Sequence, residues 1–185
     1  VSLSVLAQAI LPVVREVPIC VAGGIGRGEA LLCCLEMGAA GCQLGTRFVC
    51  ARESIAHPRF KASFIRAEAR DAVPSVQLDP RFPVIPVRAL QNDASRSFLA
   101  FQQTVIDRFR AGAVDQKAAQ LEIEHYWAGA LRRAVIEGDV EGGSLMAGQS
   151  VGMVHIEQTV RQIIDELVTQ ACAALRARER AGVAE

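Results

Sequence analysis

The sequence lacks an excess of charge of either sign, since its 185 residues include 20 basic and 20 acidic side chains. Proteins that bind nucleic acid or anionic membrane surfaces usually carry clustered basic residues, so the composition points to neither partner. Long apolar runs are also missing, because the longest apolar stretches contain charges or glycines and fall short of the roughly 20 residues that span a membrane. The sequence has no internal repeat and no low-complexity segment, so a repeat architecture is not expected.

Cysteine pairs at metal-binding spacing are absent as well. The chain has six cysteines and no C-x-x-C pair; the six are Cys20, Cys33, Cys34, Cys42, Cys50 and Cys172. Cys20 and Cys42 fall in segments that we expect to be buried strands. The favoured interpretation is small buried apolar side chains in a reducing compartment, rather than disulfides or metal ligands. This interpretation predicts a cytoplasmic protein.

The N-terminal segment lacks the features of a targeting sequence, and it also lacks an initiator methionine. Residues 1–15 contain no basic region followed by an apolar run and a small-residue cleavage site. They show instead the spacing of a helix, with apolar side chains at Leu3, Leu6, Ile10, Val13 and Val14. We therefore expect the chain to be part of a longer protein.

What the sequence does have is a high apolar content of 51%, which is enough for a sizeable core. The first fifty residues alternate between predicted helices and strands: helix Ser2–Glu16, strand Ile19–Ala22, helix Arg27–Met37 and strand Cys42–Leu44. Both strands are short and, apart from Gln43, apolar. This order predicts an α/β fold in which neighbouring parallel strands, buried on both faces, are covered by helices.

The chain after Phe48 has a different pattern, dominated by helices. Pro58 suits the first turn of a helix, and an aromatic stripe of Phe98, Phe101 and Phe109 marks another helix. A loop rich in glycine and serine, residues 139–152, separates these elements from a last amphipathic helix. The predicted helices cover about 59–70, 98–112, 115–138 and 160–175, and a strand is predicted over 73–78.

Two strand-to-helix corners contain glycines and give the strongest functional signal. Val21–Ile25 has the sequence Val-Ala-Gly-Gly-Ile, and about twenty residues later Gln43–Phe48 has the sequence Gln-Leu-Gly-Thr-Arg-Phe. Glycine lets the backbone approach an anion closely, and backbone N–H groups at a helix start attract it. We therefore predict that the two corners form a cradle for a phosphate group. In a (β/α)8 barrel such a cradle follows the seventh and eighth strands.

Further motifs accompany the two corners along most of the chain. They are Glu53-Ser54, His57-Pro58, Pro86-Val-Arg-Ala-Leu90 with Asn92, Gly129-Ala-Leu-Arg-Arg-Ala-Val135, Glu137-Gly-Asp-Val140 and Gly143-Ser-Leu-Met-Ala-Gly-Gln-Ser-Val-Gly152. Together with the corners they resemble the nitronate monooxygenases, formerly called 2-nitropropane dioxygenases. The related flavin-dependent enoyl-acyl-carrier-protein reductase II shares much of the pattern. The resemblance extends from about Pro18 to about Val168.

The resemblance implies the C-terminal portion of an FMN-binding TIM (β/α)8 barrel with an inserted helical subdomain. Residues 1–57 would be the last barrel units with the phosphate cradle, residues 58–139 a helical substrate lid, and residues 140–185 a flavin-rim loop and a C-terminal helix. The amides of both corners and the Thr46 hydroxyl would bind the phosphate. The family's FMN-binding positions match Gly23, Gly24, Gln43, Leu44, Gly45 and Thr46.

No catalytic residue and no metal ligand is assigned within the chain. The family's catalytic histidine lies upstream of the glycine corners, whereas His57, His125 and His155 lie downstream and match no catalytic position. His57 precedes a proline at a predicted helix start, so capping or packing is its favoured role. Arg88 and Asn92 are interpreted as packing residues, with contact to substrate as the alternative.

The resemblance implies an FMN-dependent enzyme that oxidises alkyl nitronates with O2 to a carbonyl compound and nitrite. The alternative within the superfamily is NAD(P)H- and FMN-dependent reduction of enoyl thioesters in fatty-acid synthesis. A hypothesis of another class is an inactive, truncated phosphate-binding remnant. A hydrolase is not favoured, because Ser150 in Gly-Gln-Ser-Val-Gly follows no buried strand. The expected partners are a small-molecule substrate and O2 or NAD(P)H. Neither nucleic acid nor a membrane is an expected partner. The oligomeric state is left open.

Overall fold

The computed structural model describes residues 1–182, and the chain separates into two compact units. Val1–Ser54 forms one unit together with the segment that starts at Ser150, and Ile55–Gln149 forms the other. The elements are mixed α/β, as the sequence predicts. The helices are α1 Leu3–Ile10, α2 Gly28–Glu36, α3 Thr46–Val49, α4 Pro58–Arg66, α5 Asp93–Arg110, α6 Gln116–His125, α7 Ala130–Arg132 and α8 Val160–Gly182, and the strands are β1 Cys20–Ala22, β2 Gly41–Gln43, β3 Ala72–Pro74 and β4 Arg88–Leu90.

The parallel strand pair predicted near the N-terminus is confirmed. β1 and β2 pair in parallel, with Val21 opposite Cys42 and Ala22 opposite Gln43. The connection between them is α2, which is followed by Gly38 with a φ of 101°. Because parallel strands end at the same edge of a sheet, the two glycine corners leave the sheet side by side.

The expectation that β1 and β2 are buried on both faces is wrong. Val21 is buried in an apolar cluster with Ala7 and Leu11, but Cys20 and Ala22 are exposed. Successive side chains of a strand point to opposite faces, and α1 and α2 contribute their apolar residues to the Val21 side only. In β2 Cys42 is half-buried. The unit therefore covers one face of its two-stranded sheet.

The first two helices are shorter than the sequence predicts. α1 ends at Ile10 rather than Glu16, because Pro12 has no N–H group with which to continue the helical hydrogen bonding. The N–H groups of Val13 and Val14 turn back to the carbonyl of Ile10, both at 3.0 Å. α2 loses about one residue at each end of the predicted range, and its Leu35 is exposed.

The C-terminal helix α8 belongs to the first unit and packs on its N-terminal segment through an apolar stripe. Ile163 and Leu167 are buried against Ala51, and both oxygens of the Glu53 carboxylate accept the N–H of Val160 at 3.0 Å at the helix start. The helix continues beyond its predicted end at residue 175 to residue 182, and residues 183–185 lie outside the described chain. Within residues 1–182, no helix has the length and apolar character required to cross a membrane.

The second unit contains helices and an antiparallel strand pair. β3 pairs with β4, with Val73 opposite Ala89. β3 is shorter than the predicted strand and ends at Pro74, since proline cannot donate to a strand ladder. The predicted aromatic helix is α5, on which Phe98 and Val105 are buried in a cluster with Phe82. The single helix predicted over 115–138 is instead interrupted after His125 and resumes beyond Gly129, where φ is 72°.

Candidate functional site

The two glycine corners are brought together at the carboxyl ends of β1 and β2. Gly23 and Gly24 follow Ala22 directly, and both have positive φ values, 116° and 69°. Leu44 and Gly45 follow Gln43, and Thr46 then starts α3. Since Ala22 pairs with Gln43, and neighbouring strands are about 4.8 Å apart, the two corners start about one strand spacing from each other.

The corners offer space and backbone donors of the kind that a phosphate requires. A Cβ atom added at Gly23, Gly24 or Gly45 would meet no other atom within 4 Å, and all three glycines are exposed. Within residues 1–182, the N–H groups of Gly24 and Gly45 donate to no protein acceptor. Gln43 is exposed at the strand end, and Leu44 is half-buried against the core. The residues present therefore fit a bound phosphate monoester.

Arg47, directly after the second corner, is buried although it is charged. Only 5% of Arg47 is exposed, and its guanidinium donates to the carbonyl of Gly26 at 3.0 Å. The same group donates to the Glu166 carboxylate at 2.9 Å and to the Gln158 side chain at 3.0 Å. A buried charge is tolerated only when it is paired and hydrogen-bonded. Arg47 therefore links the first corner, the second corner and α8.

α8 supports the first corner through a second hydrogen bond. The Gln170 side chain accepts the N–H of Gly28 at 2.8 Å and donates to the Glu166 carboxylate at 3.1 Å. A Cβ at Gly28 would lie 1.9 Å from the carbonyl oxygen of Leu167, so this glycine is what allows α2 to approach α8. Hydrogen bonds from Arg47, and then from Gln158, lower the pKa of Glu166 from its ordinary value.

His57 caps a helix, whereas His125 and His155 are exposed. Nδ1 of His57 accepts the N–H of Arg59 at 3.1 Å and so caps α4, and a Cβ at Gly138 would overlap the His57 ring. The predicted capping role of His57 is thereby confirmed. His125 ends α6 and His155 lies in a loop, and both are exposed.

Asn92 and Arg88 make structural contacts within the second unit. The Asn92 side chain caps α5 by accepting the N–H of Ser95 at 3.0 Å, and it donates to the carbonyls of Val140 and Gly143 at 2.7 Å. Arg88 donates to the carbonyl of Ala72 across the β3–β4 pair. These contacts support the packing roles expected for both residues.

The second unit contains an apolar cavity of about 290 Å³. Its walls come from β3, β4, α5 and α6, and Trp127 is part of the lining. Trp127 also contacts Phe98 and Tyr126, with ring centroids 5.2 Å apart in both pairs. Apolar cavities near this size hold small ligands or parts of larger ones. Further lining residues include Val76, Ile85, Leu99, Leu131 and Met146.

The cysteines differ in their burial. Within the described part of the chain, no group of three or more His, Cys, Asp or Glu side chains is arranged to hold a metal ion. Burial, followed by the neighbouring Cys34, raises the pKa of the Cys42 thiol to about 11, so this thiol is protonated near neutral pH. The prediction of six buried cysteines is wrong for Cys20, Cys33 and Cys172, which are exposed.

Sequence reasoning missed the polar support of the corners. Ile163, Glu166, Leu167 and Gln170 have the i, i+3, i+4, i+7 spacing of one helix face, and these four are the less exposed residues of that stretch. Two polar residues in a core-facing stripe require buried partners, and this signal was available in the sequence. The partner Arg47 lies inside the Gly-Thr-Arg-Phe motif, directly after the threonine of the second corner.

Comparison with known proteins adds a family to this geometry. A family model described as nitronate monooxygenase matches residues 1–170. The structure of FabK from Thermotoga maritima aligns with 98% of this chain and 52% of its own, at 30% identity and a TM-score of 0.79. A nitroalkane oxidase from Streptomyces ansochromogenes aligns with 96% of this chain and 45% of its own, at 26% identity and a TM-score of 0.69.

Another relative is named as a dehydrogenase and not as an enzyme that acts on nitro compounds. A (3aS,4S,5R,7aS)-5-hydroxy-7a-methyl-1-oxo-octahydro-1H-indene-4-carboxyl-CoA dehydrogenase from Rhodococcus jostii (strain RHA1) is 25% identical to the chain, over 92% of this chain and 54% of that protein. The chain thus spans about half the length of the relatives that it matches. The family match covers the glycine corners, Arg47 and the N-terminal half of α8. The chain belongs to the nitronate monooxygenase family.

Proposed function

We propose that this chain supplies the phosphate-binding part of an FMN-dependent oxidoreductase with a TIM-barrel fold. The observation that carries the proposal is the pair of open glycine corners at the carboxyl ends of two paired parallel strands. This is the position at which barrel enzymes bind phosphate. Membership of the nitronate monooxygenase family supports the same assignment.

The proposed phosphate ligands are backbone groups. Gly23 and Gly24 would face one side of the phosphate, and Gly45 with the Thr46 amide and hydroxyl the other side. Gln43 and Leu44 would set the backbone position at the strand end. When bound, FMN would supply the redox chemistry. The chain's own contribution is to bind and orient the phosphate, so we assign no proton transfer to His57, His125 or His155.

The proposed substrate is an alkyl nitronate, oxidised with O2 to a carbonyl compound and nitrite. The nitroalkane oxidase of similar structure supports this choice. We further propose that residues 58–139 form the substrate lid and that the apolar cavity holds an apolar part of the substrate. In the same proposal residues 1–57 are the last barrel units, and residues 140–185 contribute the flavin-rim loop and α8. The catalytic base is expected outside this chain.

A second candidate is a thioester-acting enzyme. The named substrate of the Rhodococcus jostii relative is a carboxyl-CoA compound with an apolar ring system. An enoyl thioester reduced with NAD(P)H through FMN would place a comparable apolar group beside the cavity walls. The candidate of another class, an inactive phosphate-binding remnant, predicts that flavin binds without turnover of either substrate.

Steady-state assays with the chain in its natural sequence context separate these candidates. We expect a bound flavin spectrum and O2-dependent release of nitrite from an alkyl nitronate. Crotonyl thioester reduction with NADH and without nitrite release would instead support the second candidate. Flavin binding without either reaction would support the remnant, and a protein that binds no flavin would contradict all three candidates.

A further inference from the structure

We propose that Arg47 is a positioning residue that holds the two glycine corners in a single phosphate-binding geometry. The inference rests on the proposed FMN function and adds a residue to it. Arg47 directly follows Thr46 of the second corner, and its hydrogen-bond acceptor Gly26 lies two residues after Gly24 of the first corner. One buried side chain therefore connects the two corners.

Arg47 is buried and so has no role at the surface. Its guanidinium is buried and donates to three acceptors: the Gly26 carbonyl, the Gln158 side chain and the Glu166 carboxylate. A buried guanidinium with one acceptor removed would leave an unpaired donor, which is costly. The geometry of Arg47 is for this reason tightly fixed, and so is the carbonyl of Gly26.

The segment between the first corner and α2 is held by two hydrogen bonds. Its Gly26 carbonyl is held by Arg47, and its Gly28 N–H is held by Gln170, which also donates to the Glu166 carboxylate. The glycine pair before it has positive φ values, a conformation that a glycine loop leaves readily when nothing holds it. Two fixed backbone atoms next to the pair therefore preorganise the first corner relative to the second.

Preorganised corners should affect the binding of the phosphate and not that of the flavin ring. FMN carries a phosphate monoester, whereas riboflavin has the same ring system and lacks the phosphate. A residue that only stabilises the fold would weaken the binding of both flavins to the same extent. A residue that aligns amide donors from both corners would weaken FMN more, because rigid donors favour the bound state without an ordering cost.

The experiment measures dissociation constants for FMN and riboflavin by quenching of flavin fluorescence, in protein that contains residues 1–185 in their natural context. The variants are Arg47→Gln and Gln170→Met, the second of which removes only the support of Gly28 and is the milder change. The matched control is Arg178→Gln, on α8 like Gln170. It removes an ion pair with Glu36 of α2 and touches neither corner.

In the unsubstituted protein we expect FMN to bind more tightly than riboflavin. Arg47→Gln should reduce this preference about tenfold or more, as when a hydrogen bond to a charged group is lost, and Gln170→Met should reduce it in the same direction. Arg178→Gln should leave it within about twofold. An unchanged preference in folded Arg47→Gln, or in Gln170→Met if the first variant does not fold, would overturn the inference. Equal binding of FMN and riboflavin by the unsubstituted protein would overturn the proposed function itself.

Discussion

At the scale of single residues, the site depends on two glycines whose backbone conformation few other residues adopt. Gly24 has a φ of 69° and open space around its Cβ position, and we propose that this space admits the phosphate. An aspartate at this position would introduce both backbone strain and a negative charge beside the phosphate.

Gly24→Asp is therefore expected to abolish FMN retention. Thr46→Ala should weaken FMN binding by about 1.5–3 kcal/mol, the contribution of one hydrogen bond to a charged group. The flavin absorption band of the purified protein, after gel filtration, provides the measurement. The matched control is Gly112→Asp. Gly112 has a similar φ of 72° and equally open space around its Cβ position, and it lies in the other unit. Gly24→Asp protein that keeps its full flavin content would refute the assignment of the first corner.

At the scale of secondary-structure elements, His57 is expected to stabilise α4 rather than to take part in chemistry. Its Nδ1 atom accepts the N–H of Arg59 at the helix start. His57→Ala should lower the free energy of unfolding by about 1 kcal/mol, whereas His57→Asn, which keeps a capping acceptor, should lower it less. Urea unfolding monitored by circular dichroism measures both. Loss of turnover in His57→Asn at unchanged stability would indicate a chemical role instead.

The attachment of α8 to the corners is expected to depend on pH. The folded protein holds the pKa of Glu166 below its ordinary value, chiefly through Arg47. The ionised carboxylate therefore adds stability above the ordinary pKa of a glutamate, and this stability is lost as the pH falls through the folded pKa. Glu166→Gln should lower the urea midpoint at pH 7 and reduce its change between pH 7 and pH 3.

A control for this pH dependence is available on the same helix. Asp165→Asn removes an exposed i, i+4 ion pair with Arg161, which contributes little in water. Its urea midpoints should follow those of the unsubstituted protein across the pH range. If Glu166→Gln behaves in the same way as Asp165→Asn, the Arg47–Glu166 pair does not hold α8 to the corners.

The elements also show what could be predicted from the sequence. The β1–α2–β2 order, the parallel pairing and the aromatic helix α5 follow from local apolar patterns and glycine positions, and all are observed. The exposure of Cys20 and Ala22 could not be predicted, because a three-residue strand does not reveal whether one or both of its faces are covered. The contact of Arg47 with Glu166 joins residues 119 positions apart, and local patterns carry no information on such pairs.

At the scale of the whole molecule, we propose that residues 1–185 supply the phosphate cradle and that the catalytic base lies outside them. Expressed alone, this chain should oxidise no nitronate and reduce no enoyl thioester, since the base and the walls around the flavin ring are expected elsewhere. Exposed apolar side chains on and after α1, such as Val5, Leu6 and Val13, should also favour self-association. Enzyme assays and gel filtration of the purified chain measure both. Turnover by the chain alone would require a residue such as His57 or His155 to act as the base.

A crystal structure of the protein with FMN bound would show whether the two corners bind the phosphate. We expect phosphate oxygens within about 3 Å of the backbone nitrogens of Gly24, Gly45 and Thr46, the usual hydrogen-bond distance. FMN bound with its phosphate away from both corners, or with a phosphate held only by side chains, would refute phosphate binding by the corners.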